Sequence, residues 1–138
     1  MKKLLLLVTA VFIISLQTKA QISVIVNKSV HESSISSEAL GNIYSLVKTK
    51  WNNGSKIIVF DFRSDNTSKD SFYKYLGKDA LWIKKEWLRK QLTGEAKAPD
   101  LLDSDEEVIS KVASTPGAIG YVKSSSVNSS VKVIAEIK

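Results

Sequence analysis

Lys56-Ile57-Ile58-Val59-Phe60-Asp61-Phe62 is a β-branched and aromatic run, too short for a helix and of the right length for a buried strand. It gives way to the polar loop Arg63-Ser64-Asp65-Asn66-Thr67-Ser68. From Lys69 onward, Phe72, Tyr75 and Leu76 recur at helical spacing, which predicts a short helix. The loop between a strand's carboxyl end and a helix N-terminus is a common ligand position in α/β proteins.

The remaining chain arranges itself around this unit. Ile22–Asn27 is apolar on both faces and predicts a first, central strand. Ser36 or Ser37 can cap a helix in which Leu40, Ile43, Tyr44 and Val47 form one face, running to about Lys50. Asn52-Asn53-Gly54 is a turn, and strand, helix, strand over this distance predicts a right-handed parallel crossover. Gly77 stops the central helix, and a second runs from about Asp79 to Leu92. On it Leu81, Leu88 and Leu92 are expected beside Ile83 and Trp87 on a wide apolar face, opposite Lys84, Lys85, Arg89 and Lys90.

Thr93-Gly94 ends that helix, and Glu95–Pro99 reads as an irregular connector. Ser104 and Glu107 fit a capping box before a helix striped by Val108, Ile109 and Val112. Thr115-Pro116-Gly117 stops it, and Ala118–Val122 is a short strand whose Gly120 permits close backbone approach. After a serine-rich turn, Val131–Ile137 alternates as a half-exposed strand. The expectation is one α/β domain with a mixed sheet of about four strands flanked by helices. Val24, Ile25, Ile57, Ile58, Val59 and Ile119 should lie in the sheet, with Leu40, Ile43, Val47, Phe72, Trp87, Val108 and Val112 covering it.

Composition changes the picture at the N-terminus. Lys2 and Lys3, the apolar run Leu4–Leu16 and the small residues near Thr18-Lys19-Ala20 read as a secretory signal over residues 1–20, leaving a domain over 21–138. The run is shorter than a membrane span, so no stable insertion is expected once the signal is cleaved. With no cysteine there is no lipid-anchor site and no disulfide, and a periplasmic or secreted location follows. The formal charge of +6 includes Lys2, Lys3 and Lys19. Without them it falls to about +3, which allows an anionic partner but does not argue for nucleic acid.

Catalysis has few candidates. His31 is the only histidine, and neither a nucleophile elbow nor a zinc-protease motif occurs. Asp103, Asp105, Glu106 and Glu107 lack the spacing of a calcium loop and suit a helix N-terminus. No catalytic residue, metal site or cofactor is therefore assigned. Trp51 and Trp87 are expected in the core. Lys84, Lys85, Arg89 and Lys90 are expected on a solvated helix face rather than a nucleic-acid surface.

The candidate binding residues are Arg63, Asn66, Thr67 and Ser68. A guanidinium fork, three donor side chains and free helical N–H groups coincide there, a combination suited to an oxyanion. A plainer alternative stands beside it, in which Arg63 pairs with Asp61 or Asp65 at the surface and Asn66-Thr67-Ser68 only cap the helix.

Several motifs fall in one order along the chain: Asn27 through Leu40, Ile43-Tyr44, Trp51-Asn52-Asn53-Gly54, Arg63 through Phe72, Trp87 with Leu92-Thr93-Gly94, and Thr115-Pro116-Gly117-Ala118-Ile119-Gly120-Tyr121-Val122. In this the sequence resembles the periplasmic phosphate-binding proteins of ABC phosphate transporters. The resemblance implies one lobe of a type II periplasmic-binding-protein-like fold and a phosphate or similar oxyanion ligand. It also implies a transporter or other envelope partner, or self-association that closes the cleft. Two departures are plain. Family members have two lobes and this chain has length for one. Their loop runs arginine, spacer, serine–glycine–threonine, whereas Asn66-Thr67-Ser68 stand here, and Thr67 in place of glycine would restrict positive φ. A single-lobe interaction module without a ligand is the alternative function.

The signal reading carries a direct test. Intact mass of the exported protein should correspond to a chain beginning at Gln21, recovered in a soluble fraction. A membrane-bound product retaining Met1–Ala20 would overturn it.

Overall fold

The computed structural model describes residues 21–138; the expected signal segment, residues 1–20, lies outside them. Five strands and four helices follow in order: β1 (Ile22–Val26), α1 (Ser37–Tyr44), β2 (Ile58–Phe62), α2 (Thr67–Leu76), α3 (Ala80–Leu92), β3 (Asp100–Leu102), α4 (Asp105–Ser114), β4 (Ala118–Lys123) and β5 (Lys132–Ile137). The strands form one mixed sheet in the order β3-β2-β4-β1-β5. β2 is parallel to both β3 and β4, while β1 is antiparallel to both β4 and β5. The fifth strand is β3, a three-residue edge immediately after the expected connector. So short a run carries too little alternation to be read from sequence.

The expected crossover does not form. β4 lies between β1 and β2, and β1 runs opposite to β2. A parallel crossover needs two reversals, one on each side of its helix. Here α1 ends at Tyr44, Leu46 adopts φ 63°, and the chain turns again through Trp51–Ser55 between the bridged residues Lys50 and Lys56. The extra reversal delivers β2 in the opposite sense. Because α1 stops six residues before Lys50, Val47 is 66% exposed instead of covering the sheet.

Consecutive residues of β4 face opposite sides of the sheet. A Cβ on Gly120 would come within 2.7 Å of Val108 Cγ1 and 3.3 Å of Val112 Cγ2, so α4 lies directly on one face. Tyr121 points the other way and stacks on Phe72 of α2, with ring centroids 3.8 Å apart. Tyr44 of α1 meets the same pair edge-on. β1 and the first five residues of β4 are buried, as the apolar runs require, while Ile58 at the start of β2 is only half-buried.

α3 is turned about its axis relative to expectation. Ile83, Trp87 and Lys90 face inward, whereas Leu81, Leu88 and Leu92 are exposed. The cause is polar. Trp87 Nε1 donates to Tyr44 O at 2.5 Å and Lys90 Nζ donates to Leu46 O at 2.8 Å. Both satisfy carbonyls at the C-terminal end of α1 that the helix leaves unpaired.

Helix starts follow the sequence more closely. Ser36, Asn66, Asp79 and Ser104 are the side-chain caps of α1, α2, α3 and α4. Glu107 reaches back to the Asp103 N–H at 3.0 Å, one residue before the cap. Trp51 is buried, and its Nε1 donates to Gly117 O at 2.9 Å. Gly117 has φ 77°, and a Cβ there would lie 2.3 Å from Lys56 O.

Ile119→Ala in the fully buried central strand should cost about 2–5 kcal/mol. Gly120→Ala should also destabilise, by overpacking on Val108 and Val112. Urea midpoints of the two variants check this; an unmoved midpoint for either would contradict the packing described.

Candidate functional site

The site is built outward from Asp61, an acid inside an apolar strand and 1% exposed. Its carboxylate accepts from Tyr121 O–H of β4 at 2.5 Å, from Tyr73 O–H of α2, and from the Phe62 N–H at 2.7 Å. Burial pushes the Asp61 carboxyl above its ordinary value, opposed by the Tyr121 and Tyr73 hydroxyls and the nearby Lys69. Burial, with Asp61 close by, pushes both tyrosine hydroxyls up as well. Asp61 is thus no surface partner of Arg63.

Beyond Phe62 the chain leaves the sheet and enters α2 within a few residues. Asn66 Oδ1 accepts from the Lys69 N–H at 2.7 Å. Lys69 is itself buried, and its ammonium donates to Phe62 O at 2.9 Å, clipping the helix to the strand end. The N–H groups of Thr67 and Ser68 precede the first intrahelical bond and have no partner within α2. Among the described residues the only positive-φ non-glycine is Leu46, so Thr67 enters the helix with an ordinary backbone. The lost glycine therefore imposes no strain here.

Asn66, Thr67 and Ser68 come together on an open depression of about 310 Å³. Its other wall is the N-terminus of α4, with Asp103, Ser104, Asp105 and Glu106, and Lys123 and Ser126 complete the rim. Two helix N-termini thus share one hollow, and each favours negative charge. Part of that preference is met from within the protein. Asp105 Oδ2 accepts from Ser126 Oγ at 2.8 Å and from the Lys123 N–H at 3.2 Å.

Arg63 does not line the depression. Its Nη1 donates to both oxygens of Asp103, at 2.5 and 2.7 Å, and its Nη2 donates to Leu101 O at 3.0 Å. The surface pair foreseen for Arg63 exists, with Asp103 rather than Asp61 or Asp65 as partner. The charge of Arg63 reaches the depression only through Asp103. The Asp61–Tyr73–Tyr121 network and the α4 wall went unread in the sequence. The one available signal was an aspartate within an otherwise apolar strand.

A carboxyl whose pKa is raised in the fold contributes stability that is fully present below its unfolded value, ordinarily 3.8, and lost as pH rises through the folded value. Between about pH 4 and 7 the wild type should therefore lose stability relative to Asp61→Asn as pH rises. Tyr121→Phe, which removes one donor to the buried carboxylate, should cost about 1–3 kcal/mol. Denaturant unfolding across that range checks both, and parallel pH curves for wild type and Asp61→Asn would contradict the first.

Residues 16–136 match the family model described as PBP superfamily domain. No curated protein matches the chain. Among solved structures, one from Clostridium perfringens described as a phosphate ABC transporter substrate-binding protein, with bound phosphate, is 21% identical with a TM-score of 0.68 over 83% of this chain and 45% of that one. An ABC-type phosphate transport receptor from Vibrio cholerae is 22% identical with a TM-score of 0.66, over 83% and 46%. PstS from Borrelia burgdorferi is 19% identical with a TM-score of 0.62, over 84% and 47%. The chain thus spans about half the length of these structures, whose likeness establishes the fold. It belongs to the PBP superfamily domain family and folds as a single PBP-like lobe.

Proposed function

We propose that the chain is a solute-binding module for phosphate or a related oxyanion, acting in phosphate transport at the cell envelope after export. The anion would sit at Asn66, Thr67 and Ser68, with Arg63 set back from them on Asp103. The observation that carries this reading is the pair of unspent N–H groups at Thr67 and Ser68. They open at the N-terminus of α2 onto a depression between two helix ends. The Clostridium perfringens structure, solved with phosphate bound, supports the choice of anion. Periplasmic or secreted location rests on the signal-like segment, and among the described residues no helix is long and apolar enough to cross a membrane. A transporter, another envelope protein or a second copy of the chain would close the open side.

One observation favours the second reading, a single-lobe interaction module that docks on an envelope partner without a ligand. Asp103, Asp105 and Glu106 share the depression, and Asp103 already holds the Arg63 guanidinium. Carboxylates at a helix N-terminus occupy the field that a bound anion would use.

With water reaching the open depression, affinity should be modest, on the order of micromolar to millimolar. Arg63→Ala removes a cation and leaves Asp103 uncompensated, so it should weaken phosphate binding through the field at the site rather than through a lost contact. Asp103→Asn should act in the opposite direction by releasing the guanidinium toward the anion. Calorimetric titration with phosphate, sulfate and arsenate, followed by amide shifts over Asn66–Lys69, checks both. If wild type gives no saturable response to any of them, the interaction-module reading replaces this one.

A further inference from the structure

Among the described residues six large apolar side chains stand exposed, and four of them, Leu81, Trp82, Leu88 and Leu92, lie on α3, so the exposure is one patch rather than scatter. At 3.6 residues per turn Leu81, Leu88 and Leu92 fall within about 40° of one another, facing away from Ile83 and Trp87. They are 62%, 58% and 77% exposed. Lys84 flanks this stripe on one side and Lys85 and Arg89 on the other, and the ammonium of Lys78 lies 5.4 Å from the ring centre of Trp82. The acids of this region are otherwise engaged. Glu86 pairs with Arg89 at 2.8 Å, Glu95 lies 3.7 Å from the same guanidinium, and Asp79 accepts from the Leu81 and Trp82 N–H groups. The outward half of the helix therefore presents leucines, a tryptophan and cations, and no carboxylate.

We propose that this face docks on the surface of an anionic phospholipid bilayer. Leu81, Leu88 and Leu92 enter the boundary of the acyl region, and Trp82 sits at headgroup level. Lys78, Lys84 and Lys85 lie against the lipid phosphates. An apolar stripe flanked by bases is the chemistry of a helix lying in the membrane interface. Tryptophan favours that layer because one end of its ring system is apolar and the other polar. Each base near an anionic surface adds attraction that salt weakens. The stripe is also fixed in place. The bonds from Trp87 to Tyr44 O and from Lys90 to Leu46 O hold the opposite face inward, so the leucines cannot turn into the core. A second copy fits less well, since stripe against stripe would set like charges together. A protein partner would need an acidic apolar groove to receive a convex helix, whereas a lipid surface needs no matching shape.

The test uses residues 21–138, which contain every described element. The protein is mixed with vesicles of phosphatidylcholine alone, or of phosphatidylcholine with phosphatidylglycerol. It should sediment with the anionic vesicles, stay in solution with the neutral ones, and be released by added salt. Tryptophan emission should shift to the blue on binding, and that shift should vanish in Trp82→Phe because Trp51 and Trp87 are buried. The double variant Leu88→Glu with Leu92→Glu should retain its circular dichroism and lose on the order of tenfold or more in vesicle partitioning. Should that variant fail to fold, Lys84→Glu with Lys85→Glu carries the same test. Absence of binding to anionic vesicles, or partitioning unchanged in the variants, overturns the proposal. Concentration-dependent dimerisation abolished by the leucine variants also overturns it, in favour of a second copy on this face.

Discussion

The buried carboxylate of Asp61 is the constraint on which the rest of the lobe depends. A charge-bearing group on a central part of the sheet is costly unless its oxygens are fully hydrogen-bonded. The donors come from three places, the next residue of its own strand, Tyr121 on β4 and Tyr73 on α2. One strand neighbour and one covering helix are thereby fixed relative to β2. With Tyr73 held over Asp61, the first turn of α2 must fall at the carboxyl end of β2, where Lys69 closes on the Phe62 carbonyl. The position of Thr67 and Ser68 at the rim of the depression follows from how the core meets its polar demands.

A second polar constraint acts at the other end of the helical layer. α1 has only eight residues, and the Tyr44 and Leu46 carbonyls at and just past its end face α3. Carbonyls there need donors, and Trp87 and Lys90 supply them. Turning α3 to satisfy them also buries Ile83 and Trp87 on the same face, and leaves three leucines in water. The exposed stripe on α3 is thus the other side of a helix rotated to serve α1.

These two constraints explain what was legible beforehand. Periodicity placed α1, α2, α3 and α4, because caps such as Ser36, Asn66 and Ser104 act within a few residues of chain. Strands β1, β2, β4 and β5 were visible as apolar or alternating runs. The rotation of α3 was not, since it depends on carbonyls more than forty residues away in sequence. Strand order was hidden for a related reason. Leu46 carries a positive φ that nothing in its type announces, and the reversal it helps to make turns an expected crossover into an antiparallel arrangement. At the candidate site, Asn66, Thr67 and Ser68 were readable as a helix start. The partner of Arg63, forty residues distant, was not.

What the site can hold depends on the balance of fields in one hollow. The N-termini of α2 and α4 each contribute a partial positive charge, equivalent to roughly half an elementary charge. Against them stand Asp103, Asp105 and Glu106. The Asp103 charge is offset by Arg63 through an ion pair from Nη1 at the surface, and that of Asp105 is held by Ser126 and the Lys123 N–H. The carboxylates lie on the α4 wall, so on the proposed reading an anion would settle against Thr67 and Ser68 on the α2 wall. A divalent phosphate would feel the repulsion of those carboxylates more than a monovalent species, and a protonated phosphate can also donate to a carboxylate across the hollow. On the proposed reading the acidic wall would therefore select among anions by protonation state, favouring those that still carry a proton.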